Sequence, residues 1–284
     1  MASDRASAPG SGDTSTPDTG DARAPYAHGH SESVLRVHRW RTAENSAAYL
    51  LPYLGPGDAL LDVGCGPGTI TVDLATIVAP GRVVGIDASP EVLEQAKIAV
   101  KDARVDVELG LGDAMALAFP DDTFDVVHAH QVLQHLADPV AALVEMRRVC
   151  RPGGLVAVRE VDYRTAAAHP DMTPEWLEVL LAVAEHDGVD PSAGRHLLTW
   201  ARQAGFTETA ASASAWCFAT PEDREWWGGS WAERVVSSAY AVRAVELGLS
   251  TPDRNQAVAD RWRVWASDPD GWMSITSGEL LARA

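Results

Sequence analysis

Residues 60–75, LLDVGCGPGTITVDLA, join an apolar run to a helical pattern through three closely spaced glycines, Gly64, Gly66 and Gly68. A strand that turns into a helix over so short a span needs backbone angles that a Cβ obstructs. It also brings the first helical amides against whatever lies in the turn. Pro67 is expected at the first helical position, where its missing N–H costs nothing. A second apolar run, VVGID, ends in Asp87, where a carboxylate would accept from ribose hydroxyls. Together these features imply a nucleoside site beyond the carboxyl ends of two parallel strands.

The glycine spacing narrows the nucleoside. A dinucleotide turn has the form G-x-G-x-x-G, but the residue three after Gly66 is Thr69, which argues against a nicotinamide dehydrogenase. Downstream, SPEVLEQAKIAVKDA reads as a helix with Ser89 as its N-cap, Pro90 at the first position and Glu91 in the first turn. VDVELG is the next strand and leads to Gly112-Asp113-Ala114. FDVVHAH is a further strand ending at His130 and Gln131. A helix over Pro139 to Val149 then meets Arg151-Pro152-Gly153-Gly154, and LVAVREV is another strand. This alternation predicts an α/β fold, a parallel sheet with helices on both faces.

The ordered set of glycine turn, Asp87, Gly112-Asp113-Ala114 and Arg151-Pro152-Gly153-Gly154 resembles the class I S-adenosylmethionine (SAM) methyltransferases. Within that family it is similar to the quinone-biosynthesis C-methyltransferase-like group and its actinobacterial small-molecule relatives. The resemblance is close over residues 34–161. It implies a Rossmann-like mixed sheet of seven strands, the last inserted antiparallel, with SAM as cofactor. Carried onto this chain, it implies that Gly64, Cys65, Gly66, Gly68, Asp87, Ala88, Asp113, Ala114, His130 and Gln131 contact the cofactor, Asp113 through the adenine amino group. Arg41 would meet the methionyl carboxylate.

Composition bounds the partners. The formal charge of −17 repels phosphate backbones and anionic membranes, so nucleic acid is not an expected partner. Three scattered cysteines, Cys65, Cys150 and Cys217, form no disulfide or metal spacing and suit a reducing cytoplasm. No apolar run approaches the ~20 residues that span a bilayer. Residues 1–25 are expected as a disordered tail with no secretory signal. The remainder divides into an N-terminal cap region at 26–54, a cofactor-binding core at 55–161, and substrate-cap insertions with the last strands at 162–284.

In the 26–54 region Leu35, His38 and Thr42 share a helical stripe, and Tyr26, His30, His38, Trp40 and Arg41 are candidates to close the site. His28 and His30 find no further ligands for a metal. Nine of the ten tryptophans lie beyond residue 162. The segments TPEWLEVLLAVAEHDG and GRHLLTWARQAGF read as helices, FTETAASASAWCFAT as the sixth strand, residues 221–248 as one long helical excursion, and GWMSITSGELLARA as the last strand. Trp226, Trp227 or Trp231, beside Gly228 and Gly229, together with Tyr163, are expected to wall a substrate pocket, with Tyr26 from the N-terminal region, since indole offers broad rigid apolar area and an electron-rich face.

The expected chemistry is methyl transfer to a small apolar or aromatic acceptor, with alignment and water exclusion doing most of the catalysis. His38 is the expected base, with His130 and His135 as further candidates. Histidines rather than carboxylates at the end of the fourth strand argue against a magnesium site. Two acceptor classes stay open: indole C3 of a tryptophan-containing cyclodipeptide, or a quinone or phenol methylated at carbon or oxygen. A nonenzymatic SAM-binding protein is the alternative from another class.

Overall fold

The computed structural model describes residues 40–284 apart from Met172, with Thr173 described in its backbone only. The expected tail, and Tyr26, His28, His30 and His38 of the N-terminal cap region, lie outside these residues. Five strands run parallel in the order β3 (Glu108–Leu111), β2 (Val83–Asp87), β1 (Leu60–Val63), β4 (Phe124–His130) and β5 (Cys150–Val161). β8 (Trp272–Arg283) follows antiparallel to β5, and β7 (Thr209–Phe218) closes the far side of β8. A short β6 (Ala167–His169) continues on the β5 side of β8. The sheet is therefore seven strands wide although eight segments contribute to it.

The central strands are buried on both faces because helices cover each. On one face Leu61, Val63, Val127, Val156 and Val158 pack against α4 (Pro139–Val149) and α6 (Leu197–Gln203). On the other, Leu60, Val83, Leu155 and Ala157 pack against α1 (Ala43–Ser46) and α2 (Thr69–Val78). α3 (Pro90–Ala103) starts as its sequence dictates, with the Ser89 hydroxyl accepting from the Val92 amide at 3.2 Å and Pro90 at the first position. Two boundaries differ from expectation. Gly68 is the cap of α2, which begins at Thr69, so Pro67 stays in the turn. Thr42 is the extended N-cap of the four-residue α1, accepting from Asn45, and is not itself helical; Leu35 and His38, expected on its stripe, lie outside the described residues.

A second core is built almost entirely from α5 (Thr173–His186), α7 (Pro221–Ser237), α8 (Ala239–Glu246) and α9 (Pro252–Ser267) against the distal halves of β7 and β8. The expected long excursion breaks at Ser238, whose extended backbone and hydroxyl bond to the Arg234 carbonyl stop α7 before α8 begins. Trp176, Trp227, Trp231, Trp262 and Trp265 are all buried here. The Trp231 ring meets Trp176 edge-on at 4.6 Å, stacks with Trp262 at 6.2 Å, and carries the Arg234 guanidinium 4.5 Å from its centroid. Among the described residues no helix is long and apolar enough to cross a membrane.

Replacing an indole so enclosed leaves a void that rigid neighbours cannot fill. Trp231→Ala is expected to cost about 3–5 kcal/mol of stability, read as a lowered denaturant midpoint; a loss below about 1 kcal/mol would contradict this packing.

Candidate active site

A cavity of about 370 Å³ opens beyond the carboxyl ends of β1, β2 and β4, within the size range of small-ligand sites. Its described walls are the glycine turn, Asp87 to Ser89, Gly112 to Met115, His130 to Val132, His135 to Ala137, and Arg41 from the N-terminal segment. The turn is held open from two sides. The Gly66 amide donates to Asp87 Oδ2 at 3.0 Å, and the Ser89 amide donates to Oδ1 at 2.9 Å. A carboxylate has roughly four acceptor positions, so these bonds leave Asp87 able to take ribose hydroxyls. Gly66 sits at φ +57°, and a Cβ built there meets nothing within 4 Å, because that direction is the open cavity.

Behind the turn lies a buried polar row that the sequence reading did not find. The Asp62 carboxylate accepts from Thr71 Oγ1 at 2.6 Å and bonds His128 Nδ1 at 2.8 Å, tying β1 to α2 and to β4. Two residues on, His130 is the cross-strand neighbour of Arg159, and Arg159 of Glu279. The Arg159 guanidinium lies 4.8 Å from the Trp216 ring, and burial pushes its pKa down to about 10. Strand alternation gives the signal: polar residues at every second position of apolar strands mark a buried network. Cys65 is buried beside Asp62 and Asp87. Burial first, then those two charges, push its thiol well up, so it packs as a neutral group.

Arg41 reaches the cavity because Trp40 anchors the segment, stacked on Trp226 at 4.9 Å and edge-on to Trp216. Its Nη2 donates to Gln131 Oε1 at 2.7 Å. Gln131 holds the left-handed φ of +55°, which turns its side chain from the strand end toward Arg41. The Asp113 carboxylate accepts from the Met115 amide at 2.9 Å and fixes its own turn. His135 lies on the wall, and burial, assisted by Arg41, lowers its pKa to about 4, which keeps it neutral.

The structure thus gathers Arg41, Gly64, Cys65, Gly66, Asp87, Ala88, Asp113, Ala114, His130 and Gln131 around one cavity. Gly68 stands just behind it as the helix cap. Three expected substrate residues fall elsewhere. Trp227 stacks on Phe218 at 4.1 Å and Trp231 is enclosed by other indoles, so the faces meant for a substrate are covered by the second core. Tyr163 turns its edge to Trp176 and lies outside the described lining. Among the described residues no set of three His, Cys, Asp or Glu side chains is arranged to hold a metal ion.

Asp87→Ala removes a charged acceptor and is expected to weaken SAM binding by about 1.5–3 kcal/mol; unchanged calorimetric affinity would contradict the site. Gly66→Val adds bulk toward open space and puts a β-branched residue at a positive φ. It is expected to abolish detectable SAM binding with the sheet still folded by circular dichroism, and wild-type affinity would show that the ligand passes elsewhere.

A family described as a methyltransferase domain matches residues 61–158. An uncharacterized methyltransferase of Schizosaccharomyces pombe is 38% identical over 90% of this chain and 95% of its own length. A demethylmenaquinone methyltransferase of Symbiobacterium thermophilum is 40% identical over 35% of this chain and 41% of its own length. The solved structure of the [4+2]-cyclase SpnF superposes with a TM-score of 0.50 at 24% identity, covering 88% of this chain and 80% of its own, a likeness of fold. With its glycine turn, acidic strand end and full-length relative, the chain belongs to the class I SAM-dependent methyltransferases.

Proposed function

We propose that the chain methylates a small aromatic acceptor of the quinone or phenol class, at ring carbon or oxygen. The observation that carries this reading is the cavity wall beyond the glycine turn, where Met115, Val132, Leu136 and Ala137 present apolar surface with His130 and His135 beside them. A flat apolar ring fits such a wall, with a few placed polar groups to orient it. Similarity of the cofactor-binding part to a demethylmenaquinone methyltransferase supports the same class. Indole C3 of a cyclodipeptide is the less favoured acceptor, because its main argument was an indole-lined pocket and Trp227 and Trp231 are occupied in core packing.

Bound SAM supplies an electrophilic methyl group on a sulfonium, so no covalent enzyme intermediate is required. The roles we assign follow the family resemblance, and the contacts within the protein are compatible with them: Asp87 would take ribose hydroxyls, Asp113 the adenine amino group, and Arg41 the methionyl carboxylate, with Gln131 aiming the guanidinium. His130 and Gln131 line the same wall and would contact the bound cofactor. As a carbon or oxygen of the acceptor gains the methyl, the acceptor releases one proton. His38 keeps the role of base in this proposal, with His130 the candidate on the described cavity wall. A reducing cytoplasm is the compartment we assign, consistent with three free cysteines.

Incubating the protein with SAM and a panel of quinol, phenol and indole acceptors, with product masses read, tests the reading. A methyl added to quinol or phenol compounds is expected. Transfer only to indoles, or none to any aromatic acceptor, would overturn it.

A further inference from the structure

Glu160 is fully buried near the carboxyl end of β5, on the face opposite Arg159, and is not among the cavity walls. Its Oε1 accepts from the Val132 amide at 2.8 Å and from the Leu133 amide at 2.7 Å. These are the first two amides after Gln131, at the mouth of the short turn Leu133–His135. A buried carboxylate that accepts consecutive amides is a strong anchor, because charge-assisted bonds are about twice as strong as neutral ones. The anchored turn faces the cofactor cavity with Gln131, Val132 and His135.

Val132 also presses on the glycine turn. A Cβ on Gly64 would come within 2.4 Å of Val132 Cγ2, so the turn after β4 and the turn after β1 share one van der Waals surface. Any shift of Val132 therefore moves the wall against which Gly64 rests. The same shift rotates Gln131, whose amide donates to the Arg159 carbonyl and whose side chain orients Arg41.

We propose that Glu160 is a positioning residue for methyl transfer: it registers the turn after β4 against the glycine turn and so sets Gln131, Val132 and Arg41 for the cofactor. It acts through those residues without touching the ligand. The assignment rests on the cofactor site alone and holds for any acceptor.

The anchor is also sensitive to protons. Burial raises the Glu160 pKa to about 7, partly offset by the Leu133, Val132 and Gln134 amides and by the charge of Arg41. The other ionisable groups around it are His135 on the anchored turn, Tyr49 on the N-terminal segment, and Arg195 paired with Asp162 beside the packed turn Ala193–Arg195. Above pH 7 the carboxylate holds both amides at full strength, and below pH 7 the neutral acid holds them more weakly.

The test compares wild type with Glu160→Gln and Glu160→Ala by calorimetric titration with SAM and with S-adenosylhomocysteine between pH 6 and 8. Wild-type affinity is expected to rise about five- to tenfold more across this range than that of Glu160→Gln, whose amide oxygen can accept both N–H groups but carries no titrating charge. Subtracting the variant's curve removes the ligand's own titration. Glu160→Ala, verified as folded by circular dichroism, is expected to bind at least tenfold more weakly than wild type at pH 8. Should it fail to fold, the Glu160→Gln profile decides. Parallel pH profiles in wild type and Glu160→Gln would overturn the proposal, as would wild-type affinity in folded Glu160→Ala. Failure of the wild type itself to bind would instead remove the cofactor site.

Discussion

The Asp62 carboxylate carries the architecture of the site. It sits on β1 one residue before the strand ends, buried, with one oxygen on Thr71 of α2 and the other on His128 of β4. A glycine-rich turn has little rigidity of its own, because its residues can occupy many backbone states. Pinning the strand before it to the helix after it removes that freedom where a ligand must be met by fixed amides. Burial of such a carboxylate is costly unless its oxygens are hydrogen-bonded, and Thr71 and His128 give each of them a partner.

From that anchor the cavity is assembled by contacts between turns more than by any single element. Asp87 ties the glycine turn to the start of α3, Val132 presses on Gly64, and Glu160 holds the turn that carries Val132. Arg41 arrives from outside the sheet, held in place by the stacking of Trp40 on Trp226. The residues described as lining the cavity therefore come from five places in the chain, while the rigid parallel strands supply their common frame.

Much of this frame was legible in local sequence. Ser89-Pro90-Glu91 gave the start of α3, and Gly64 through Gly68 with Asp87 and Asp113 marked the cavity, because turn and cap chemistry act over a few residues. What escaped was of two kinds. The break at Ser238 and the whole of α9 were missed, although Thr251 and Pro252 form a plain start signal, because α9 is polar over most of its surface. The direction of the tryptophans was misjudged for a different reason. Indole is equally at home against a ligand or against another indole, and only the crossing of α7 with α9 decides that Trp227 and Trp231 face inward. The row from Asp62 through His128, His130 and Arg159 to Glu279 spans four strands, so its members become neighbours only through register.

β8 is shared property. Its distal half, with Met273 and Ile275, belongs to the indole-rich core, and its proximal half, with Leu280 and Ala282, to the core beneath α4 and α6. It pairs with β5 on one side and β7 on the other, Leu155 lying opposite Arg283. Until that remote segment threads between them, β5 and β7 both present open hydrogen-bonding edges. Completion of the sheet thus depends on a long-range pairing, and any state of the chain that lacks it exposes edges open to edge-to-edge association.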